Sequence, residues 1–240
     1  LSLLTASKAI GQDATKFFRN ISVFNLDGEY DHLLVAPASL KNNIIKYIHR
    51  EKMKAESFQP CGIFMKMNSL TDRQIIDALA EASCAGVPIF LLVRGICCIR
   101  PGIPGKTENI RVESIVGRFL EHSRIYSFGS GEDLEIFIGS ADMMTRNTKR
   151  RVEVACPIYD PALRKRLSDM IEILKKDNVQ ASRLLSSGEY VSKRKKGHEP
   201  LSSQTYFMKD ARRHERKPKQ KKTGFFASVG RRLFQKRTGR

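Results

Sequence analysis

Apolar residues in the first three quarters of the chain alternate between short continuous runs and helical spacing. The runs at 33–36, 62–66 and 88–93 are bounded by Gly or Pro and predict buried strands. Between them, 39–53 and 72–85 place apolar residues three or four positions apart and predict amphipathic helices. This order predicts an α/β fold with a mixed, largely parallel sheet flanked by helices.

Further elements are expected around this core. Helices are predicted at 5–21 and 160–176, and Gly129-Ser130-Gly131 is predicted to form a hairpin turn. The segment 94–109 is rich in Gly and Pro and predicts a loop, and a loop of this length inside a compact domain is usually functional. Four more strands are predicted at 111–115, 124–128, 134–139 and 152–157.

Positive charge is concentrated at the end of the chain. Residues 193–240 hold 17 Lys and Arg against 3 Asp and Glu, whereas residues 1–192 hold 26 against 22. The basic character therefore belongs to the tail and does not indicate what the folded part binds. Within the tail, 224–240 has the apolar and basic spacing of an amphipathic helix that would contact a polyanion or an anionic membrane surface.

Three segments follow from these patterns. Residues 1–32 are predicted to be the end of a preceding domain or a connecting helix. Residues 33–180 are predicted to form the main domain, and residues 181–240 a basic, largely disordered tail.

Several classes of protein are excluded by composition. The five cysteines lack paired spacing, which argues against a disulfide framework or a zinc site and fits reduced, cytoplasmic thiols. The longest apolar run, near 87–93, is far shorter than the roughly 20 residues of a membrane-spanning helix.

Polar side chains gather at the predicted strand ends. Lys66 and Arg94 follow the second and third strands, His122 and Arg124 precede a later strand, and Arg151 stands just before another. In open α/β sheets, ligands bind at the carboxyl ends of strands. Guanidinium groups bind phosphate oxygens in pairs and lysine adds a point charge, so the pattern predicts a phosphate ligand.

Two short motifs add chemistry to this cluster. His122-Ser123-Arg124 and Gly139-Ser140-Ala141-Asp142 resemble the His-x-Lys and Gly-Ser-x-Asn elements of phospholipase D-type enzymes. In this chain arginine replaces the lysine and aspartate replaces the asparagine.

Longer strings carry a more specific resemblance. In this order along the chain they are similar to the C-terminal region of bacterial polyphosphate kinase, over about residues 1–176. The strings are Met65–Asp72, Val93–Gly102, Ser114–Tyr126, Gly139–Asn147 and Arg151–Val154.

The resemblance implies a fold, a reaction and a set of site residues. The family transfers the terminal phosphate of ATP reversibly to inorganic polyphosphate through a phosphohistidine and Mg²⁺, and its two C-terminal domains are phospholipase D-like. By resemblance, His122 is the catalytic residue of this chain, and His122, Arg94, Arg151 and Lys66 bind ATP or phosphate.

The resemblance also implies partners and parts outside this chain. The phosphohistidine and the Mg²⁺-linked residues are expected before Leu1, so no metal ligand is assigned here and the isolated chain is expected to be incomplete. The expected partners are ATP or ADP, polyphosphate and further copies of the same protein. The expected location is the cytoplasm, with the tail at a polyanion or a membrane surface.

Two alternatives remain open at this point. A phospholipase D-type phosphodiesterase would need a second His-x-Lys element, which the sequence lacks. A non-catalytic polyanion-binding module would rely on the basic tail for all of its binding.

Overall fold

A computed structural model of the chain describes residues 1–194 and 197–215. It divides the chain into a compact unit, Leu1–Gln204, and a second unit that begins at Thr205. The helices are α1 (Lys8–Ser22), α2 (Leu40–Glu56), α3 (Arg73–Cys84), α4 (Thr145–Lys149), α5 (Pro161–Lys176) and α6 (Ser203–Glu215). The strands are β1 (Leu34–Ala36), β2 (Ile63–Met67), β3 (Ile89–Val93), β4 (Ile110–Ile115), β5 (Arg124–Phe128), β6 (Glu135–Gly139), β7 (Glu153–Pro157), β8 (Ala181–Leu184) and β9 (Tyr190–Ser192).

The strands form one mixed sheet, which confirms the predicted α/β class. Across the described residues the strand order is β1-β7-β6-β5-β2-β3-β4-β8-β9. Only β2–β3 and β3–β4 are parallel pairs there, so the prediction of a largely parallel sheet was wrong. The reason is connection length: β5 and β6 are joined by a short turn that permits only antiparallel pairing, whereas α3 and the long loop 94–109 allow parallel crossovers.

Helices cover both faces of the sheet centre. Successive residues of a strand face opposite sides, and every residue of β2 is buried. One face packs against α2 and α3, whose Leu40, Ile44 and Leu79 are completely buried. On the other face, Lys175 of α5 lies 5.6 Å from the ring centre of Phe64. The centre of the sheet is thus shielded from water on both sides, which places its polar chemistry at the strand ends.

Helix α1 is fastened to the start of β1. The buried Asp13 carboxylate accepts hydrogen bonds from the backbone N–H groups of His32 at 2.7 Å and Leu33 at 2.9 Å. Ile10 packs with Leu33 and Val35 in a small apolar cluster. The assignment of residues 1–32 to a preceding domain or connecting helix stays a prediction.

The stretch predicted to be a disordered tail contains regular structure up to residue 215. Strand β8 pairs with β4, and β9 pairs with β8 and lies at the edge of the sheet. Ala181 and Leu184 of β8 are buried, so a short apolar pattern closes the sheet edge just before the basic residues begin. The predicted amphipathic helix at 224–240 lies outside the described residues. Among the helices that are described, none is long and apolar enough to cross a membrane.

Candidate functional site

The predicted polar cluster forms at one edge of the sheet. Strands β2, β3 and β6 end at this edge, and β5 and β7 begin there because they run antiparallel to β6. Residues that follow some strands and precede others are therefore brought together. This geometry joins the regions around Lys66, Arg94, His122 and Arg151.

Arg94 is held by the turn that follows β2. Its Nε donates a hydrogen bond to Asn68 Oδ1 at 2.6 Å, and the N–H of Gly95 donates to the Asn68 carbonyl at 2.8 Å. A Cβ atom at position 95 would lie only 2.8 Å from that carbonyl oxygen. Glycine is required here because the two loops approach so closely, and the approach fixes where the half-buried Arg94 guanidinium lies.

Arg124 and Asp142 form a two-point ion pair at the centre of the edge. Arg124 Nε lies 3.2 Å from Asp142 Oδ1, and Nη2 lies 3.1 Å from Oδ2. The same carboxylate accepts the backbone N–H of Asn68 at 2.7 Å. Burial raises the pKa of Asp142, but the hydrogen bonds from Arg124 and Asn68 outweigh burial and lower it overall. Asp142 is therefore a charged anchor that joins β2, β5 and β6.

His122 is exposed beside this ion pair. Arg124 Nη1 lies 2.9 Å from His122 Nδ1 and donates to the His122 carbonyl at 2.8 Å. Arg124 Nη1 also lies 3.3 Å from His122 Nε2, so the guanidinium faces both nitrogens of the ring. The charge of Arg124, with smaller effects of burial and Arg94, lowers the pKa of His122. The lowered pKa favours the neutral imidazole near neutral pH, and a neutral imidazole carries one N–H donor.

The prediction that Lys66 binds phosphate is not supported by its surroundings. Its side chain is 2% exposed. Its Nζ donates to the carbonyls of Glu121 at 3.2 Å and Ser123 at 3.0 Å, and to Ser123 Oγ at 3.0 Å. Glu121 Oε2 lies 3.2 Å away as well. An ammonium group has three hydrogens, and protein oxygens already surround them.

Arg151 is an exposed residue that lies just before β7 at the same edge. Neighbouring Ser140 is held to β7 by two hydrogen bonds with Val154, at 2.9 and 3.1 Å. In the part of the chain that the structure describes, no hydrogen bond or ion pair engages the Arg151 side chain. Its assignment as a phosphate ligand stays a prediction.

The sequence placed Arg124 in the polar cluster and Asp142 in a motif, but it did not predict that the two form an ion pair at the centre of the site. The sequence contained a signal for them, since both depart from the phospholipase D-type pattern. The replacement of lysine by arginine and of asparagine by aspartate creates opposite charges that pair. A single sequence cannot show that the two changes meet in space.

The site residues do not fit a Mg²⁺ ion. Asp142 is the carboxylate at the centre of the edge, and both of its oxygens are bonded to Arg124 and Asn68. Among residues 1–194 and 197–215, no group of three or more His, Cys, Asp or Glu side chains is arranged to hold a metal ion.

Comparison with known proteins assigns the chain to a family. The family model for polyphosphate kinase C-terminal domain 2 matches residues 33–204, which include the whole site. The chain belongs to the polyphosphate kinase C-terminal domain 2 family. This confirms the resemblance drawn from the sequence, and the match also includes β8 and β9, which had been assigned to the tail.

Full-length members show the same relationship. A polyphosphate kinase of Thermosynechococcus vestitus is 46% identical over 190 residues, which are 79% of this chain and 26% of the relative. One of Staphylococcus saprophyticus is 44% identical over 88% of this chain and 29% of its own length. The crystal structure of polyphosphate kinase from Porphyromonas gingivalis has a TM-score of 0.82 and 38% identity, covering 88% of this chain and 32% of that chain. The chain thus spans less than a third of these relatives.

Proposed function

We propose that this chain supplies a phosphate-binding part of a polyphosphate kinase active site. The enzyme would transfer the terminal phosphate of ATP reversibly to inorganic polyphosphate. The observation that carries the proposal is the placement of His122 beside Arg124, within the electrostatic influence of Arg94, at one edge of the family domain. These groups offer a neutral donor and two cations to a phosphate.

Each side chain would have a distinct part in binding. Among the described residues, Arg94 uses Nε to bond Asn68, so its two terminal nitrogens would face phosphate oxygens. His122 would donate its ring N–H to an oxygen of the transferring group or its leaving oxygen. Arg124, held by Asp142, would keep the His122 ring in place and add positive charge. Arg151 would be a further ligand from the neighbouring strand.

The chemistry explains why this set of groups is useful. In phosphoryl transfer the bond between the terminal phosphorus of ATP and its bridging oxygen breaks while a bond to the acceptor forms. Little covalent help is needed, and catalysis comes from positioning and from neutralising charge on the oxygens. Fixed arginines and a histidine donor provide both. The attacking nucleophile would be a histidine outside this chain, which would become the phosphohistidine that the family resemblance implies when the bond to phosphorus forms.

Other expected features belong to the proposal as well. The Mg²⁺ would be bound by groups outside the cluster described above. Assembly into a homo-oligomer and contact of the basic tail with a polyanion or anionic membrane remain expectations. The free cysteines of the described residues are compatible with the proposed cytoplasmic location.

The test uses the full-length protein encoded by the gene that carries this sequence. Supplied with ADP, Mg²⁺ and polyphosphate, it should form ATP. We expect His122→Gln and Arg94→Ala each to lower the rate about a hundredfold or more, because each removes one well-placed charge or donor. Arg73→Ala is the control, since Arg73 is a 92% exposed side chain on α3.

Two results would contradict the proposal. One is near-normal ATP formation by both site variants. The other is hydrolysis of an aryl phosphodiester by the folded protein with no phosphate transfer in either direction, which would favour the phosphodiesterase alternative.

A further inference from the structure

We propose that Lys66 is a positioning residue that, together with Glu121 and Gln204, holds the segment carrying His122 in its binding geometry. This role rests on the proposed function only in taking His122 as the histidine that meets phosphate. It differs from the role of phosphate ligand that the sequence predicts for Lys66. It also gives Ser203 and Gln204, the first two residues of α6, a part in positioning His122.

Lys66 forms hydrogen bonds with the residues on both sides of His122. Its Nζ donates to the carbonyl of Glu121, the residue before the histidine, and to the carbonyl and hydroxyl of Ser123, the residue after it. Lys66 itself stands in β2, the central strand whose five residues are all buried. A group that extends from a rigid strand to both neighbours of His122 limits how far the histidine backbone can move.

Glu121 links Lys66 to a second anchor of the loop, Gln204. Its Oε2 faces Lys66 at 3.2 Å, and its Oε1 accepts a hydrogen bond from Gln204 Nε2 at 2.8 Å. Gln204 also bonds both backbone groups of Phe119, donating to the carbonyl at 2.8 Å and accepting the N–H at 3.0 Å. The loop is thus fixed from the opposite side as well.

The second anchor is itself buried. Gln204 follows Ser203, whose backbone N–H and hydroxyl donate to Asp177 Oδ2 at 2.8 and 2.7 Å. Both Ser203 and Asp177 are completely buried. Their bonds fix Ser203 to the residue that follows α5, so Gln204 projects from a fixed point.

Apolar packing does not hold the loop between β4 and β5. The side chains of Val116, Phe119 and Leu120 are 71%, 46% and 69% exposed. The loop contains no helix or strand between Ile115 and Arg124. Its geometry therefore depends on polar contacts, from Lys66 and Gln204 and from Arg124, which donates to the His122 carbonyl. Burial lowers the pKa of Lys66 because it disfavours the charged ammonium group. A role in holding the loop explains why this buried position is nevertheless a lysine.

The experiment uses NMR of the 240-residue chain to measure how firmly the loop between β4 and β5 is held. Amide hydrogen exchange of residues 119–124 and the titration of the His122 ring would be followed in Lys66→Met and Gln204→Glu. We expect exchange at 119–124 to become at least about tenfold faster, with the core strands β2 and β3 unchanged. The pKa of His122 should rise in Lys66→Met, because the charge of Lys66 lowers it, so the exchange rates decide whether the loop has moved.

Lys193→Met is the matched control. Lys193 is also a largely buried lysine, with its Nζ 2.7 Å from Glu113 and 2.8 Å from the Lys175 carbonyl. Its removal should leave the exchange of 119–124 and the His122 titration as they are.

Three outcomes would overturn the proposal. One is unchanged exchange at 119–124 together with weaker binding of tripolyphosphate in Lys66→Met, which would make Lys66 a direct ligand. A second is equal acceleration across the core, which would make it a stability residue. The third concerns the full-length protein: a rate and pH profile that Lys66→Met leaves unchanged while His122→Gln abolishes transfer.

Failure of the proposed function has a different signature. If His122→Gln were fully active, the kinase role of the site would be wrong, yet the loop measurement would still decide whether Lys66 and Gln204 position this segment.

Discussion

Arg124 and Asp142 face each other across the β5–β6 hairpin through two separate contacts, Nε to Oδ1 at 3.2 Å and Nη2 to Oδ2 at 3.1 Å. The pair is largely buried, with both side chains 11% exposed. It also supports the turn after β2, because Asp142 receives the N–H of Asn68. The two departures from the phospholipase D-type motif are thus one structural feature.

This pairing predicts strong coupling between Arg124→Lys and Asp142→Asn. Arg124→Lys removes the two-point contact, since an ammonium group lacks the guanidinium fork, and Asp142→Asn removes the charge that Arg124 faces, whereas the double change restores the motif of the phospholipase D type. We expect a coupling free energy of about 1–3 kcal/mol in a double-mutant cycle of urea unfolding. The exposed pair Lys165 and Asp169, 2.9 Å apart, is the control and should couple by less than about 0.5 kcal/mol. Additive effects at Arg124 and Asp142 would contradict this account.

The pH behaviour of His122 provides a second prediction. Arg124 is the main reason that its pKa lies below the ordinary value of 6.5. NMR titration should find the ring neutral at pH 7, and Arg124→Gln should raise the pKa. Tripolyphosphate should also raise it, because an anion favours the imidazolium. Arg73→Gln is the control and should leave the titration unchanged. A His122 pKa above 6.5 in the free protein would show that Arg124 does not govern the ring.

Gly95 provides a third prediction, from close backbone approach. A Cβ at this position would meet the Asn68 carbonyl oxygen at 2.8 Å and Ser69 Oγ at 3.2 Å. We expect Gly95→Ala to move Arg94 away from Asn68 and to lower the transfer rate of the full-length protein about a hundredfold. Gly11→Ala, where a Cβ meets nothing within 4 Å, is the control. Equal rates in the two variants would mean that the position of Arg94 tolerates this displacement.

Asp72 provides a fourth prediction, on stability. It is completely buried, with Lys41 Nζ 2.7 Å and Thr148 Oγ1 3.1 Å from its carboxylate. Burial raises its pKa, but these partners lower it overall. Its contribution is therefore present above the ordinary pKa of 3.8 and is lost as pH falls through the lower folded value.

Asp72→Asn tests this contribution by urea unfolding at several pH values. The change should cost about 3–5 kcal/mol near neutral pH, because it leaves Lys41 buried and unpaired. The variant should lose less stability than the parent as pH falls below about 4. Asp169→Asn, at a 65% exposed side chain, is the control. Parallel pH profiles for parent and Asp72→Asn would contradict the assignment.

The sequence was most informative where local pattern and tertiary structure agree. Strand β5 was predicted with its observed bounds, and the Gly129–Gly131 turn joins β5 to β6 as expected. The periodicity of α2 and α3 matches the faces that they bury. These features depend on neighbours in the chain, which a sequence displays directly.

Other features depend on contacts between distant residues. The direction of each strand after β4 depends on which strand it pairs with. Strand β8, for example, pairs with β4 although the paired residues are more than 60 positions apart in the sequence. The sequence predicted Lys66 as a phosphate ligand because it stands at the end of a buried apolar run. In the fold, its ammonium group donates hydrogen bonds to the carbonyls of Glu121 and Ser123 instead. Neither the pairing of β8 with β4 nor the hydrogen bonding of Lys66 produces a pattern among residues that are neighbours in the sequence.

The β5–β6 hairpin also has a use in protein engineering. Its turn is separated from the end of the sheet that carries His122 and Arg94 by strands of five residues, or roughly 15 Å. Both strands are hydrogen-bonded on their two sides, so their register does not depend on the turn. The exposed Glu132 is therefore a suitable attachment point for a fluorophore or a surface tether, leaving the opposite edge open to its ligands.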